Sequence, residues 1–146
     1  MKVNIYNSID TVSTLEKKEI IDFLYQNLNG YNDSWSEIQN AVDYALNPNP
    51  AFGGFILYIR QVGKISGTLV MNKTRMKGFI PENHLVYLAV DKNVEQEETG
   101  KHLLQNALIM SKGNISVHVK ENDPMIATFE NMGFDNKFIE MRYNNK

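Results

Sequence analysis

The chain has 146 residues, 42% of them apolar and 22% charged, enough to bury its own core without a disulfide or metal staple. Lys and Arg total 15 against 17 Asp and Glu, a formal charge of -2 that excludes a general attraction to nucleic acid or to an anionic membrane. There is no cysteine, which excludes a disulfide framework, a thiolate metal site and a cysteine nucleophile. The opening residues Met1 to Tyr6 carry no long apolar run, and no stretch reaches the length that crosses a bilayer. The expectation is a cytoplasmic chain forming one domain over residues 1–146.

Val3 and Ile5 alternate with polar neighbours, as in a short strand. Ser13-Thr14-Leu15-Glu16 is a capping box, and Leu15, Ile20, Phe23, Leu24 and Leu28 follow at helical spacing up to Asn29-Gly30. Ser34-Trp35-Ser36-Glu37 is a second box, opening a helix through Ile38, Ala41, Val42, Ala45 and Leu46. Asn47-Pro48-Asn49-Pro50 stops it. Gly54–Gln61 and Ile65–Met71 flank Val62-Gly63-Lys64 as a hairpin. Residues 72–83 read as a loop, and His84–Asp91 as a central strand. From about Glu98 to Lys112 the spacing is helical again, with Gly113 as the stop. Ile115, Val117 and Val119 alternate as a strand, Asp123-Pro124 begins a short helix ending at Gly133, and Phe138–Tyr143 reads as a last strand.

The order is β-α-α-β-β-β-α-β-α-β. The hairpin requires antiparallel pairing and the Val90-to-Ile115 crossover requires a parallel step. The predicted fold class is α/β, with a mixed, mostly antiparallel central sheet and helices on both faces. No repeat or linker interrupts it.

The segment with chemical content is the central strand, its loop and the helix holding Gly100. A helix opening after a central strand presents unpaired amides and the positive end of its dipole, which suits phosphate. It also occurs for packing reasons alone. The residues here are Leu88-Ala89-Val90-Asp91, then Gly100 with Lys101-His102-Leu103-Leu104, then Val117-His118-Val119, then Asn122 to Phe134 with Phe129 and Gly133-Phe134. This run from Leu85 to Phe134 resembles the core of the GNAT superfamily of N-acetyltransferases. The first half agrees in element order but has no diagnostic motif.

The resemblance implies acetyl-CoA as co-substrate and no metal. Leu88, Ala89 and Val90 would pair their backbone with the pantetheine arm. The amides of Glu95, Gln96, Glu97, Glu98, Thr99, Gly100 and Lys101 would hold the pyrophosphate, and Asn122 would approach the pantetheine. Two parts of the pattern are altered, the anion loop and the tyrosine position. Glu95 stands at the usual Gln/Arg position and Glu98 at the first glycine, so with Glu97 three carboxylates crowd an anion loop. Each like-charge contact at about 4 Å costs about 4 kcal/mol at an effective dielectric near 20. The same carboxylates equally suit the dipole of an ordinary helix start. Phe129 replaces the tyrosine that protonates the departing thiolate, and it has no proton to give. Its other reading is a core aromatic beside the cofactor tail.

Acetyl transfer to an amine also needs a proton acceptor. The carboxylate that the family often places on the central strand is missing, since Val86 and Tyr87 stand there. His118 is the best acid/base candidate, because an imidazole titrates near neutrality and this one lies by the strand split. Its alternative is a packing residue. Tyr87 can bond to the acyl group or acceptor, or be a plain sheet-face aromatic. Glu82 and His84 lie just upstream, and Tyr25, Tyr31, Trp35 and Tyr44 give the first two helices an aromatic surface.

The leading reading is therefore an N-acetyltransferase moving acetyl from acetyl-CoA to a primary amine of a small molecule or peptide by direct attack. The alternative is a non-catalytic CoA-binding or protein-interaction module. A homodimer is allowed by the resemblance, with no interface signal in the residues themselves.

Overall fold

The computed structural model describes residues 1–28, 30–49 and 52–145. Its elements run β1 (Asn4–Asn7), α1 (Thr14–Asn27), α2 (Trp35–Ala45), β2 (Gly54–Gln61), β3 (Lys64–Lys73), β4 (Asn83–Val90), α3 (Gln96–Met110), β5 (Ile115–Val117) and α4 (Ile126–Asn131). The sheet order is β1-β2-β3-β4-β5, antiparallel except for the parallel β4–β5 pair.

Local chemistry starts the helices. The Glu16 amide donates to Ser13 Oγ at 3.1 Å while the Ser13 amide donates to Glu16 Oε1 at 3.0 Å. The Ser34–Glu37 box is built the same way, at 3.1 and 2.8 Å. Such caps satisfy amides that the first turn cannot bond, and each is worth about 1 kcal/mol. The Tyr6 hydroxyl also donates to Glu16, at 2.6 Å, tying β1 to the start of α1. The β2–β3 turn takes φ of 53° at Val62 and 77° at Gly63. Two successive positive φ values match the right-handed twist of the hairpin strands.

The sheet divides the core. Ile20, Ile21, Leu24, Ile38 and Val42 from α1 and α2 pack on one face with Ile56, Val70, Tyr87 and Ala89. Leu103, Leu104 and Ala107 from α3, with Phe129 from α4, pack on the other with Leu57, Leu69, Met71 and Leu85. A fully buried Leu or Ile contributes about 1.5–3 kcal/mol, so both layers are needed to hold the sheet. Helices on both faces of a mostly antiparallel sheet are what the sequence predicts.

Several boundaries differ from the sequence reading. α1 ends at Asn27, its Leu28 amide donating to Leu24 O at 3.0 Å; Asn29 and Pro50, read above as stop signals, lie outside the described residues. β3 runs on to Lys73, and α3 begins earlier than expected, at Gln96. α4 begins only at Ile126, because Asp123 Oδ1 first accepts from the Met125 amide at 2.8 Å in a local turn. Its end is a Schellman cap: the Phe134 amide donates to Phe129 O at 3.0 Å, and the two rings meet edge to face at 5.1 Å.

The last expected strand does not form. Residues 135–145 hold neither helix nor strand, and β5 stops at Val117 instead of running through Val119. Strand propensity is realised only against a partner edge, and within this chain neither segment pairs with the other.

Candidate functional site: the split between β4 and β5

The two parallel strands stay together for three residue pairs only, Asn83–Ile115, His84–Ser116 and Leu85–Val117. Beyond them β4 continues to Val90 with only β3 beside it. A bulge marks the parting. Tyr87 pairs with Val70 and Leu85 with Met71, so Val86 is the extra residue. Val86 and Tyr87 consequently both turn towards α1 and α2, whereas Leu85 and Leu88 face α3.

The free edge has a defined polarity. The Asp91 amide donates to Ser66 O at 2.9 Å, so alternation assigns the backbone groups of Asp91, Ala89 and Tyr87 to β3. Those of Leu88 and Val90 face the gap, where Val90 O accepts from Gln96 Nε2 at 3.4 Å. Ala89 thus differs from its neighbours in pointing its amide and carbonyl away from the gap.

α3 begins beside this edge. Glu95 is its N-cap and makes no side-chain cap bond, in contrast to Ser13 and Ser34. The first intrahelical bond is from the Thr99 amide to Glu95 O, at 3.1 Å, which leaves the amides of Gln96, Glu97 and Glu98 without an acceptor in the helix. The side chains of Glu95, Gln96, Glu97, Glu98 and Lys101 are exposed, so the three carboxylates stand out in solvent and do not fold back over those amides. Thr99 is fully buried and its hydroxyl has no partner.

Gly100 lies two residues further into α3 than the expected start at Glu98 implied. As the fifth residue of α3 its amide belongs to the helical ladder. What its missing side chain permits is close packing. A Cβ there would meet Met125 Sδ and Cε at 3.1 Å and Val90 Cγ2 at 3.8 Å. The helix start, the end of β4 and the turn before α4 therefore converge around Gly100 and Met125. Phe129 is buried against this layer, and Asn122 is exposed in the turn that follows β5.

The opposite face of the split carries the titratable groups. The Tyr87 hydroxyl donates to Asp33 Oδ2 at 2.5 Å. Burial first, then the Asp33 carboxylate, raises the Tyr87 phenol well above its usual range, so it stays protonated and acts as a donor. The Tyr31 hydroxyl donates to Asp123 Oδ2 at 2.7 Å and accepts from the Lys120 amide at 3.0 Å. Its phenol is pushed up to about 12, chiefly by burial and then by Asp123. The α1–α2 connection is thereby fastened to β4 and to the β5–α4 turn.

His118 is exposed at the end of β5, with Nε2 at 2.6 Å from Glu140 Oε1. Its ring lies 4.6 Å from that of His84, whose Nδ1 is 2.9 Å from Ser116 Oγ. Burial lowers the His84 pKa to about 4, with His118 adding to the shift and Glu140 opposing it. The structure thus brings His84, Ser116 and Glu140 to His118, and Asp33 to Tyr87. Sequence reading missed Asp33, Ser116 and Glu140. No local motif marks them, since Asp33 and Tyr87 are 54 positions apart.

Other expectations resolve into structural contacts. Trp35 Nε1 donates to Asp22 at 2.8 Å and the Tyr44 hydroxyl to Lys73 O at 2.6 Å, while Tyr25 is exposed. His102 Nε2 lies 3.1 Å from Met1 O. An open cleft of about 570 Å³ lies at the other end of the sheet, lined by Lys73, Arg75 and Lys112 among others, away from the gap at Leu88–Val90. Among the described residues no group of His, Asp and Glu is arranged to hold a metal, and no helix is long and apolar enough to cross a membrane.

No protein-family model matches the sequence. No curated protein is similar to it at a significant level. The fold is a different matter, and it is that of the GNAT acetyltransferases. The aminoglycoside N-acetyltransferase AAC(6')-Iy in complex with CoA superposes with a TM-score of 0.70 at 9% identity, over 99% of this chain and 94% of that one. An aminoglycoside acetyltransferase from an uncultured soil metagenomic sample, in complex with sisomicin, gives 0.66 at 16% identity, over 99% and 96%. A GNAT-family acetyltransferase from Streptococcus pneumoniae gives 0.67 at 14% identity, over 99% and 100%.

Proposed function

We propose that this chain is an acetyl-CoA-dependent N-acetyltransferase acting on a primary amine of a small molecule or peptide. The observation that carries the reading is the opened β4–β5 pair, with the backbone of Leu88 and Val90 facing a gap and the uncapped start of α3 beside it. A free strand edge suits the amide-bearing pantetheine arm. Unbonded amides at a helix start suit a pyrophosphate. Two of the structural neighbours were solved with CoA and with an aminoglycoside respectively, which agrees with a thioester donor and an amine acceptor.

The chemistry is direct transfer. The amine lone pair attacks the thioester carbonyl carbon, the C–S bond breaks, and the amine gives up a proton as the thiolate gains one. His118, held by Glu140, accepts the amine proton on the α1/α2 side of the split. Phe129 supplies no proton, so the thiolate takes it from water or from the His118 imidazolium formed in the same turnover. Tyr87 fixes the α1–α2 connection through Asp33 and so shapes the acceptor side. Asn122 and the amides of Gln96, Glu97 and Glu98 line the donor side.

The second reading, a CoA-binding module without turnover, is favoured by Phe129 and by the three exposed carboxylates at the α3 start. The two separate in one experiment. Acetyl-CoA should raise the melting temperature, and a panel of amines should release free thiol. Stabilisation without thiol release supports the module. No stabilisation at saturating acetyl-CoA refutes both readings.

A further inference from the structure

We propose that the cleft at the far end of the sheet from the β4–β5 opening is a second ligand site, for a small organic anion with an apolar body. Strand alternation puts its floor on one face. Ile5 pairs with Leu57, Asn7 with Phe55, Phe55 with Met71 and Lys73 with Asn83, so these positions share the α3 side of the sheet. α3 covers only part of that side. It ends at Met110, where Ser111 Oγ donates back to Ala107 O at 2.8 Å. Leu57 is accordingly 1% exposed, while Ile5 beside it is 38% exposed. The part left uncovered is the open cleft of about 570 Å³, within the range of about 300–1,000 Å³ that small-molecule sites occupy.

Its lining has two parts. Ile5, Ile9, Phe55 and Met110 form an apolar wall, of which Ile9 is 88% exposed. Lys73, Arg75 and Lys112 bring three cations from the end of β3, the loop after it and the connection after α3, against one carboxylate, Glu82. Glu82 Oε2 lies 3.3 Å from the Asn114 amide, which donates to it, so that charge is turned to the α3–β5 connection. The ion pairs among the described residues engage Lys17, Lys18, Arg60, His118 and Arg142, and none of these three cations. In a chain of formal charge -2 this is a local positive excess beside bare hydrocarbon.

The backbone under each cation is anchored. The Tyr44 hydroxyl donates to Lys73 O at 2.6 Å, and Asn83 Nδ2 donates to Lys112 O at 2.6 Å. Arg75 has a φ of 64°, which a residue other than glycine keeps only where its surroundings hold it. Thr74 holds it, its hydroxyl donating to Pro81 O at 2.6 Å and accepting from the Met76 amide at 3.1 Å. The Arg75 guanidinium lies 4.5 Å from the centre of the Phe52 ring, which steadies it. Charge anchored in advance loses less freedom when a ligand arrives. An anionic head meets the cations and a hydrocarbon body covers the wall, so a ligand with both uses the whole cleft. This inference does not depend on the acetyltransferase reading.

The test titrates octanoate into the full-length chain at low salt and follows the amide chemical shifts. A dissociation constant below about 1 mM is expected for this ligand of about ten heavy atoms. The shifts should concentrate at residues 7–9, 73–76 and 110–112. Acetate, which keeps the head, and 1-octanol, which keeps the body, should each bind about tenfold more weakly or worse. Arg75→Gln combined with Lys112→Gln should weaken octanoate by about tenfold, and Ile9→Ser by about threefold, with melting temperatures unchanged because all three side chains are exposed. Lys92→Gln, just past the other end of β4, should leave the affinity as it is. Failure to saturate at millimolar octanoate overturns the proposal. Equal affinity for acetate or 1-octanol, or full affinity in the double variant, overturns it as well. Shifts confined to residues 88–98 would put octanoate in the β4–β5 opening and overturn it too.

Discussion

Replacing Tyr87 by Phe removes one hydroxyl and little volume from a side chain that is 8% exposed. Its lost bond is to a carboxylate at 2.5 Å, the kind of contact worth about 1.5–3 kcal/mol. Asp33 is half-buried, so water recovers part of that, and a net loss of about 1.5–2 kcal/mol is expected. For a chain of this size that is a fall in melting temperature of about 3–8 °C. The cost should vanish in the Asp33→Ala background, where the acceptor is already gone. A double-mutant cycle by chemical denaturation should therefore give a coupling of about 1–2 kcal/mol. The contact also holds the α1–α2 connection over the proposed acceptor side, so under that proposal thiol release with an active amine should show a raised KM more than a lowered kcat. Additive single-variant costs, within about 0.3–0.5 kcal/mol, would refute the pinning role. Lost turnover at unchanged stability would instead put the Tyr87 hydroxyl on the reacting groups.

Two further outcomes follow from particular contacts. His84 has a folded pKa lowered to about 4, below its unfolded value near 6.5, so protonation favours the unfolded chain. Its contribution to stability is complete above pH 6.5 and is lost as the pH falls towards 4. Allowing for its partial exposure, the loss is on the order of 2 kcal/mol. His84→Gln should flatten the fall in denaturation midpoint between pH 7 and pH 4.5 by about that amount; equal slopes for both proteins would show that His84 is not held neutral. Val62 is fully exposed at φ 53°, a conformation that a β-branched residue adopts at a cost and Asn adopts readily. Val62→Asn should raise the melting temperature by about 2–4 °C, roughly 1 kcal/mol, in a thermal scan; an unchanged or lower value would mean the hairpin turn is not strained there.

What could be read from the residues alone was what short-range chemistry decides. Ser13–Glu16 and Ser34–Glu37 close within four residues, and both form as expected. The apolar run His84–Asp91 and the helical spacing after it needed no knowledge of the rest of the chain. The failures are the places where a distant partner decides. Phe138–Tyr143 has the composition of a strand, but strand structure belongs to a pair, and no strand among the described residues pairs with it. The amides of Thr99, Gly100 and Lys101 were counted with the anion loop because the spacing of the resembled motif does not say where the first helical bond forms. That bond, from Thr99 to Glu95, starts the helix at Gln96, two residues before the expected Glu98. Asp33 and Glu140 carry no motif and acquire meaning only from Tyr87 and His118.

The bulge at Val86 connects these facts. Without the extra residue, β4 would keep strict alternation from Asn83 to Val90 and its edge would have no reason to leave β5. With it, Val86 and Tyr87 share the α1/α2 face, and the backbone turns so that Leu88 and Val90 look into an opening. One inserted position thus separates two chemistries on the two sides of a single strand. Tyr87, His84 and, across the split, His118 lie on the side that the proposed function gives to the amine. The free amides and carbonyls lie where α3 begins, on the side that the proposed function gives to the phosphate-bearing donor. A thioester threaded through the opening from the α3 side would present its carbonyl to the other face. The departures at Glu98 and Phe129 lie on the donor side of the proposed site and bear on affinity for the donor and on the thiolate's proton, while on the acceptor side Val86 and Tyr87 stand where the resembled family often has a carboxylate.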